Sequence, residues 1–146
     1  MKLIELMKAI DYNEIVNRSG LDSEQIEISS LCRDSRKVCE GAMFVCISGS
    51  MSDGHDYVKN AYDGGCRVFV AEHKIDMPDD CFIIITGDTR VALAQLSAAF
   101  FGYPAKEMTV IGITGTKGKT TCSLLIYNVL NESGIPAGYI GSNGVH

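Results

Sequence analysis

Residues 109–121 carry the residue types that bind polyphosphates. An apolar, β-branched segment leads into a glycine-containing turn, and a helix-forming segment follows. Gly115 and Gly118 let the main chain approach an anion closely, and the start of the next helix offers free N–H groups and a positive dipole end. The Lys119 ammonium can reach the outer phosphates, and the Thr120 hydroxyl can ligate Mg²⁺. The segment therefore predicts a phosphate-binding site.

The glycine spacing is a variant of the general P-loop, which places four residues between its two glycines, ahead of Lys-Ser/Thr. Here Gly115 lies three residues before Gly118, and Gly112 lies six residues before it. An ordinary glycine-containing connection between a strand and a helix is the competing interpretation. The order of strand, glycine turn, Gly-Lys-Thr and helix favours the phosphate site.

A second polar cluster lies between residues 33 and 55. It contains Asp34-Ser35-Arg36 and a glycine-rich loop that ends in Asp53-Gly54-His55. An arginine can pair with a diphosphate, and Ser, Asp and loop amides can hydrogen-bond a uracil or a ribose, so this chemistry suits a sugar nucleotide. Each feature alone is also typical of a solvated turn. Arg36 can instead pair with Asp34, an interaction that contributes little at a surface.

Composition narrows the class of protein. The 146 residues are 46% hydrophobic and 21% charged, which is typical of a soluble protein with a packed core. A net charge of −5 argues against nucleic acid or an anionic membrane as the main partner. No apolar run approaches the roughly 20 residues of a membrane span, and the charged N-terminus does not resemble a signal peptide.

The six cysteines do not form a metal-binding pattern. No Cys-x-x-Cys pair occurs, and the histidines do not cluster with the cysteines, so we expect no structural metal. Without a signal peptide, the cysteines are expected to be reduced, as in a cytoplasmic protein.

Hydrophobic periodicity predicts an α/β fold. We expect residues 1–103 to form a small mixed α/β domain, and residues 108–146 to form a β-loop-α-β unit that begins a truncated second domain. Asp88 is expected to cap a helix, and Gly64-Gly65 to end one. The predicted helices are 2–10, 56–64, 88–101 and 119–132, and the predicted strands are 26–31, 43–47, 67–71, 81–85, 109–114 and 137–140.

Together, the two clusters resemble motifs of the Mur ligase family, the ATP-dependent amide ligases of peptidoglycan synthesis. The front domain of that family typically carries Asp-Ser-Arg-x-Val-x-x-Gly-x-x-Phe-Val and then Gly-x-x-x-Asp-Gly-His, a pattern present here from Asp34 to His55. The ATP loop of the family typically reads Thr-Gly-Thr-Asn-Gly-Lys-Thr-Thr, which residues 114–121 match except at Lys117, where the family usually has Asn. The resemblance is closest to the MurE branch.

The resemblance implies ligands and site residues by position. ATP and Mg²⁺ are the expected cofactors, with Lys119 stabilising charge on the β and γ phosphates as the catalytic residue and Thr120 holding Mg²⁺. The Lys117 side chain can either contact phosphate or point to solvent, and solvent is slightly favoured. The expected ATP-binding residues are Gly115, Thr116, Lys117, Gly118, Lys119, Thr120 and Thr121. Those expected to bind the UDP substrate are Arg33, Asp34, Ser35, Arg36, Ser50, Met51, Ser52, Gly54 and His55.

The resemblance also implies a reaction. A complete enzyme of this kind adds diaminopimelate or L-lysine to UDP-MurNAc-L-Ala-D-Glu. The present chain would be its N-terminal fragment, with a UDP-binding domain and the start of a P-loop ATPase domain, and is expected to be inactive alone. Two alternatives stay open: a fragment of a MurF-type or related ligase, and a non-catalytic UDP-sugar-binding module that retains a nucleotide loop.

Overall fold

The computed structural model describes residues 1–49 and 52–146 and has two compact units, Met1–Glu107 and Met108–His146. The first unit contains a five-stranded sheet with helices on both faces, and the second contains a helix and a short hairpin. The assignment of 1–103 and 108–146 to two functional domains stays a prediction.

The sheet of the first unit is mostly parallel. Strand β5 lies between β1 and β4, and the full order is β1-β5-β4-β3-β2, with only β1 antiparallel to its neighbour. The carboxyl ends of the four parallel strands therefore meet at one edge. The strands are β1 (Glu14–Val16), β2 (Ser30–Cys32), β3 (Ala42–Val45), β4 (Val68–Ala71) and β5 (Phe82–Ile85).

Successive strand residues point to opposite faces of the sheet, and in these strands both sets of side chains are apolar. Helices therefore cover both faces. Met43 and Val45 belong to the core that contains helices α1 (Leu3–Met7) and α3 (Thr89–Phe100). Phe44 belongs to the opposite core, which is covered by α2 (Val58–Asp63). The buried residues of α3 are Thr89, Ala92, Leu96 and Ala99.

The structure confirms most of the predicted elements of this unit. Strands β3, β4 and β5 begin and end within two residues of the predicted bounds. Asp88 caps α3, since its carboxylate accepts the N–H groups of Arg90 and Val91. Gly64 is the C-cap residue of α2, and Gly65 adopts a φ of 98°.

Two local predictions for the first unit need correction, and one strand was missed. The predicted strand 26–31 is wrong at its start, because Glu27 makes only an isolated bridge to Lys2 and the strand begins at Ser30. The predicted helix 2–10 ends at Met7. Strand β1 was not predicted, since three residues carry too little alternation; its pairing with β5 defines it.

The second unit forms only part of the predicted β-loop-α-β arrangement. Helix α4 (Lys119–Glu132) is present as predicted. The predicted strand 109–114 is wrong: these residues have no regular structure, and Val110 is 69% exposed. The predicted strand 137–140 is replaced by an antiparallel hairpin of β6 (Ile140–Gly141) and β7 (Gly144–Val145). An extended segment becomes a strand only when another strand pairs with its backbone groups, and the described residues offer 109–114 no such partner.

All six cysteines are free. Cys46, Cys66 and Cys81 are buried in the core beneath α2, as expected for small hydrophobic side chains, and burial raises the pKa of the Cys66 thiol to about 11. Among the helices that the structure describes, none has the length and apolar character needed to cross a membrane.

Candidate functional site at the carboxyl edge of the sheet

The segments that leave the parallel strands bring the front polar cluster to one edge of the sheet. Strand β2 leads into Arg33 and Asp34, and β3 leads into the loop of residues 48–53. Strand β4 leads into Glu72, and β5 leads to Asp88 at the start of α3. Ligands of open parallel α/β sheets bind outside this edge.

The Asp34-Ser35-Arg36 motif folds into a short 3₁₀ turn, Ser35–Lys37. Asp34 caps this turn and holds the Arg36 guanidinium with two hydrogen bonds, Nε to Oδ1 at 2.9 Å and Nη2 to Oδ2 at 2.8 Å. The Arg36 side chain, through this hydrogen bond, lowers the pKa of Asp34 to about 2. The pairing considered from the sequence is therefore present. Because the Arg36 side chain is 87% exposed, its guanidinium is open to an anion from solvent.

The turn is fixed next to α2 by the residue that follows it. Val38 packs against the same buried core as Val58 and Tyr62 of α2. Arg33 and Ser35 lie on either side of Asp34, with Arg33 exposed and Ser35 partly exposed. The motif thus presents two arginines and a hydroxyl from one fixed turn.

The base of the 48–53 loop is closed by main-chain hydrogen bonds. The Gly49 N–H donates to the Ser52 carbonyl, and the Gly54 N–H donates to the Ile47 carbonyl, both at 2.9 Å. A Cβ at Gly54 would lie 2.5 Å from the Ile47 nitrogen, so this close approach requires glycine. Ser52 is exposed. Ser50 and Met51, predicted to lie over the substrate, fall outside the described residues.

His55 holds the far end of this loop from a buried position. Its Nδ1 lies 2.5 Å from Asp53 Oδ1, and its Nε2 accepts the Glu72 N–H at 3.0 Å. The second bond uses the Nε2 lone pair, so the hydrogen-bond network assigns the proton to Nδ1, which donates to Asp53. The His55 N–H also donates to Asp53 and, as the largest cause, lowers the pKa of this carboxyl.

The Glu72 carboxylate joins the loop to helix α3. Oε1 accepts the Thr89 N–H at 3.0 Å and the Thr89 hydroxyl at 2.8 Å, while Oε2 accepts the Ser48 hydroxyl at 3.4 Å. The hydrogen bond from the Thr89 N–H is the main cause of the lowered pKa of Glu72. We call Ser48, Asp53, His55, Glu72 and Thr89 the loop-anchoring network.

Part of this network resembles a cation site in composition. Asp53, His55 and His73 place possible ligand atoms within 4.8 Å of one another, and the His55 and His73 rings stack with centroids 4.1 Å apart. However, both ring nitrogens of His55 are engaged in hydrogen bonds. A metal would have to break one of them, and these hydrogen bonds of Asp53 and His55 connect the far end of the loop to Glu72.

Several residues of this edge were not singled out from the sequence: Ser48, Glu72, Thr89 and Arg90. Their positions in the sequence could have indicated them. Ser48 and Glu72 come shortly after buried strands, and Thr89 and Arg90 begin the helix after β5. Only the sheet order shows that these positions are neighbours.

In the second unit, the predicted phosphate-binding residues lie on one loop and the first turn of α4. Gly118 precedes the helix with a φ of 76°, in the left-handed region, and Gly115 has a φ of 152°. The Lys119 Nζ donates to the Gly115 carbonyl at 2.6 Å, and the Thr120 Oγ1 lies 3.4 Å from Ser142 Oγ. Thr116, Lys117 and Thr121 are exposed.

The first turn of α4 has donors that suit an anion. The first main-chain bond of the helix runs from the Cys122 N–H to the Gly118 carbonyl at 2.9 Å. Within the described part of the chain, the N–H groups of residues 119–121 have no acceptor. Unused N–H groups at the start of a 14-residue helix are the usual anion-binding feature of this position.

These features belong to a known class of enzyme. Residues 27–101 match the model of the Mur ligase family, catalytic domain, and the chain belongs to this family. It is similar to UDP-N-acetylmuramoyl-L-alanyl-D-glutamate–2,6-diaminopimelate ligases. It is 41% identical to the one from Clostridium botulinum over 97% of this chain and 29% of that protein. The one from Listeria monocytogenes is 40% identical, over 97% of this chain and 28% of that protein.

Solved structures of the same family have a similar fold. MurF from Acinetobacter baumannii has a TM-score of 0.71 and 28% identity, over 90% of this chain and 27% of that chain. MurF from Thermotoga maritima, in complex with ADP, has a TM-score of 0.57 and 30% identity, over 73% of this chain and 24% of that chain. The chain therefore spans less than a third of the length of these relatives.

Replacing Glu72 by Gln tests the loop-anchoring network. The folded-state pKa of Glu72 lies below its ordinary value of 4.5, so the carboxylate stabilises the fold above that pH, and this contribution is lost as the pH falls through the folded pKa. At pH 7, urea unfolding of Glu72→Gln should show a loss of about 1 kcal/mol. The difference from wild type should shrink in acid.

Glu24→Gln provides the control, because Glu24 is exposed and its carboxylate accepts no hydrogen bond within the described residues. This variant should follow the wild-type stability at every pH. Equal stability of Glu72→Gln and wild type at pH 7 would contradict the assigned role of the carboxylate.

Proposed function

We propose that the complete protein is an ATP-dependent amide ligase of peptidoglycan precursor synthesis that joins diaminopimelate to UDP-MurNAc-L-Ala-D-Glu. The observation that carries this proposal is the convergence of Arg33–Arg36 with Ser48, Gly49 and Ser52–His55 at the carboxyl edge of the sheet. The names of the relatives support the substrate and the amino acid. The present chain contributes the UDP-binding unit and the first part of the ATP site.

The first unit binds the UDP part of the substrate in this proposal. The Arg36 guanidinium can exchange one of its two contacts with Asp34 for a phosphate oxygen, since both acceptors suit its planar fork. Arg33 adds positive charge beside it, and the Ser35 hydroxyl offers a donor and an acceptor to the nucleoside. The described end of the loop supplies Ser52 to the ligand.

The second unit binds the phosphates of ATP with its magnesium ion. The free N–H groups of residues 119–121 fit an anion, and the Lys119 ammonium already lies over the loop through its bond to Gly115. In the bound state Lys119 would pair with the β and γ phosphates, and Thr120 would ligate Mg²⁺. ATP would supply the phosphoryl group that activates the substrate carboxylate for attack by the amine.

A MurF-type function is the second candidate. It is favoured by solved structures of MurF enzymes from Acinetobacter baumannii and Thermotoga maritima, which resemble the fold at 28% and 30% identity. The relatives at 40% and 41% identity are named diaminopimelate ligases acting on the L-alanyl-D-glutamate substrate. This higher identity favours the ligase that acts on the L-alanyl-D-glutamate substrate over the MurF-type ligase. It also favours diaminopimelate over L-lysine as the added amino acid.

Titration calorimetry of the 146-residue chain with UDP-MurNAc-L-Ala-D-Glu tests the UDP assignment. Wild type should bind, and Ser35→Ala should weaken binding about fivefold, the loss expected for one hydrogen bond. Ser19→Ala, on an exposed turn, is the matched control and should bind like wild type. Preference for the tripeptide-level analogue would support the MurF-type candidate, and absence of binding to either compound would contradict both.

Mg·ATP titration followed by amide NMR tests the phosphate loop. Signals of residues 115–121 should shift, and Lys119→Ala should reduce the shifts because a contact to the outer phosphates is lost. Lys117→Ala is the charge-matched control. Lys117 is expected to contribute its main chain to the phosphate loop and its side chain is exposed, so this variant should keep the wild-type shifts. Equal losses in the two variants would show a general charge effect and contradict the role of Lys119.

A further inference from the structure

Arg90 connects the start of helix α3 to the main chain of the candidate UDP loop. Its N–H donates to the Asp88 carboxylate at 2.8 Å, as part of the helix cap. Its Nη2 donates to the Ser48 carbonyl oxygen at 2.7 Å. The helix behind it is held in the core by Thr89, Ala92 and Leu96, so the guanidinium extends from a fixed support.

The bond from Arg90 restrains one particular peptide plane. The carbonyl of Ser48 and the N–H of Gly49 belong to the same planar trans peptide and point in opposite directions. Arg90 holds the carbonyl, while the Ser52 carbonyl accepts the Gly49 N–H at 2.9 Å. Because the plane is held from both sides, it cannot rotate unless one of these bonds breaks. Its orientation determines how the chain enters the loop.

This restraint differs from the one made by Glu72. Glu72 holds the Ser48 side chain, at 3.4 Å, whereas Arg90 holds the Ser48 main chain at 2.7 Å. Arg90 is exposed, and an exposed interaction of this kind contributes little to global stability. The effect of Arg90 should therefore be confined to the loop.

We infer that Arg90 is a positioning residue for the UDP substrate, which fixes the Ser48-Gly49 peptide at the start of the loop through the Ser48 carbonyl. This inference rests on the proposed function, because it takes the loop to be the part of the first unit that covers the uridine diphosphate. Arg90 acts through this peptide, so it lowers the conformational cost of binding by holding the peptide in one orientation beforehand.

Arg90→Ala should raise the Kd for UDP-MurNAc-L-Ala-D-Glu about tenfold in calorimetry of the 146-residue chain, with an unchanged melting temperature. Arg90→Lys should recover part of the affinity, since an ammonium can still donate to the carbonyl. In the free protein, hydrogen exchange of the Gly49 amide should accelerate in Arg90→Ala, while the amides of β4 and β5 exchange as in wild type.

Arg18→Ala is the control, because Arg18 is also exposed and pairs with Asp79 at 3.4 Å. Equal weakening in Arg18→Ala and Arg90→Ala, or wild-type affinity in Arg90→Ala, would overturn the inference. Wild type that does not bind would refute the proposed function instead. In that case, a Gly49 amide that exchanges at the same rate in Arg90→Ala as in wild type would also show that Arg90 does not restrain the Ser48-Gly49 peptide.

Discussion

The arrangement of the front site depends on the Glu72 carboxylate. One oxygen accepts both the N–H and the hydroxyl of Thr89, and the other accepts the hydroxyl of Ser48. The main-chain N–H of Glu72 donates to His55 Nε2, and the His55 ring is hydrogen-bonded to Asp53 at the far end of the loop. A single residue after β4 therefore links the helix after β5 to both ends of the loop after β3. Three segments that are distant in sequence are held as one surface.

This linkage is possible because of the parallel sheet. Strands β3, β4 and β5 are adjacent and parallel in the sheet, so the residues that follow them come to the same edge. Apolar side chains on both faces hold the strands against α1 and α3 on one side and α2 on the other. The polar network at the edge thus rests on two packed cores, and the loop can be anchored by few and partly exposed hydrogen bonds.

Sequence patterns predicted the elements that have strong local signals. The apolar runs of β3, β4 and β5 and the Asp88 cap of α3 are such signals, and the structure confirms them. The site residues predicted from the sequence included Asp34, Arg36, Gly54 and His55, and the structure brings these to one edge of the sheet. Glu72 and Arg90 were missed because their partners are 17 and 42 residues away in sequence, a separation that only tertiary structure reveals. Strand 109–114 was predicted wrongly because periodicity does not show whether a strand has a partner.

Amide chemical-shift mapping with UDP-MurNAc-L-Ala-D-Glu is the most direct test of the central claim, that the anchored carboxyl edge of the first unit binds this substrate. We expect the largest shifts on residues 33–36 and 52–55 and on Glu72. A groove at the opposite edge of the sheet, lined by Ile26, Glu27, Ala42 and Gly65 among others, provides the comparison surface. Shifts confined to that groove would contradict the account.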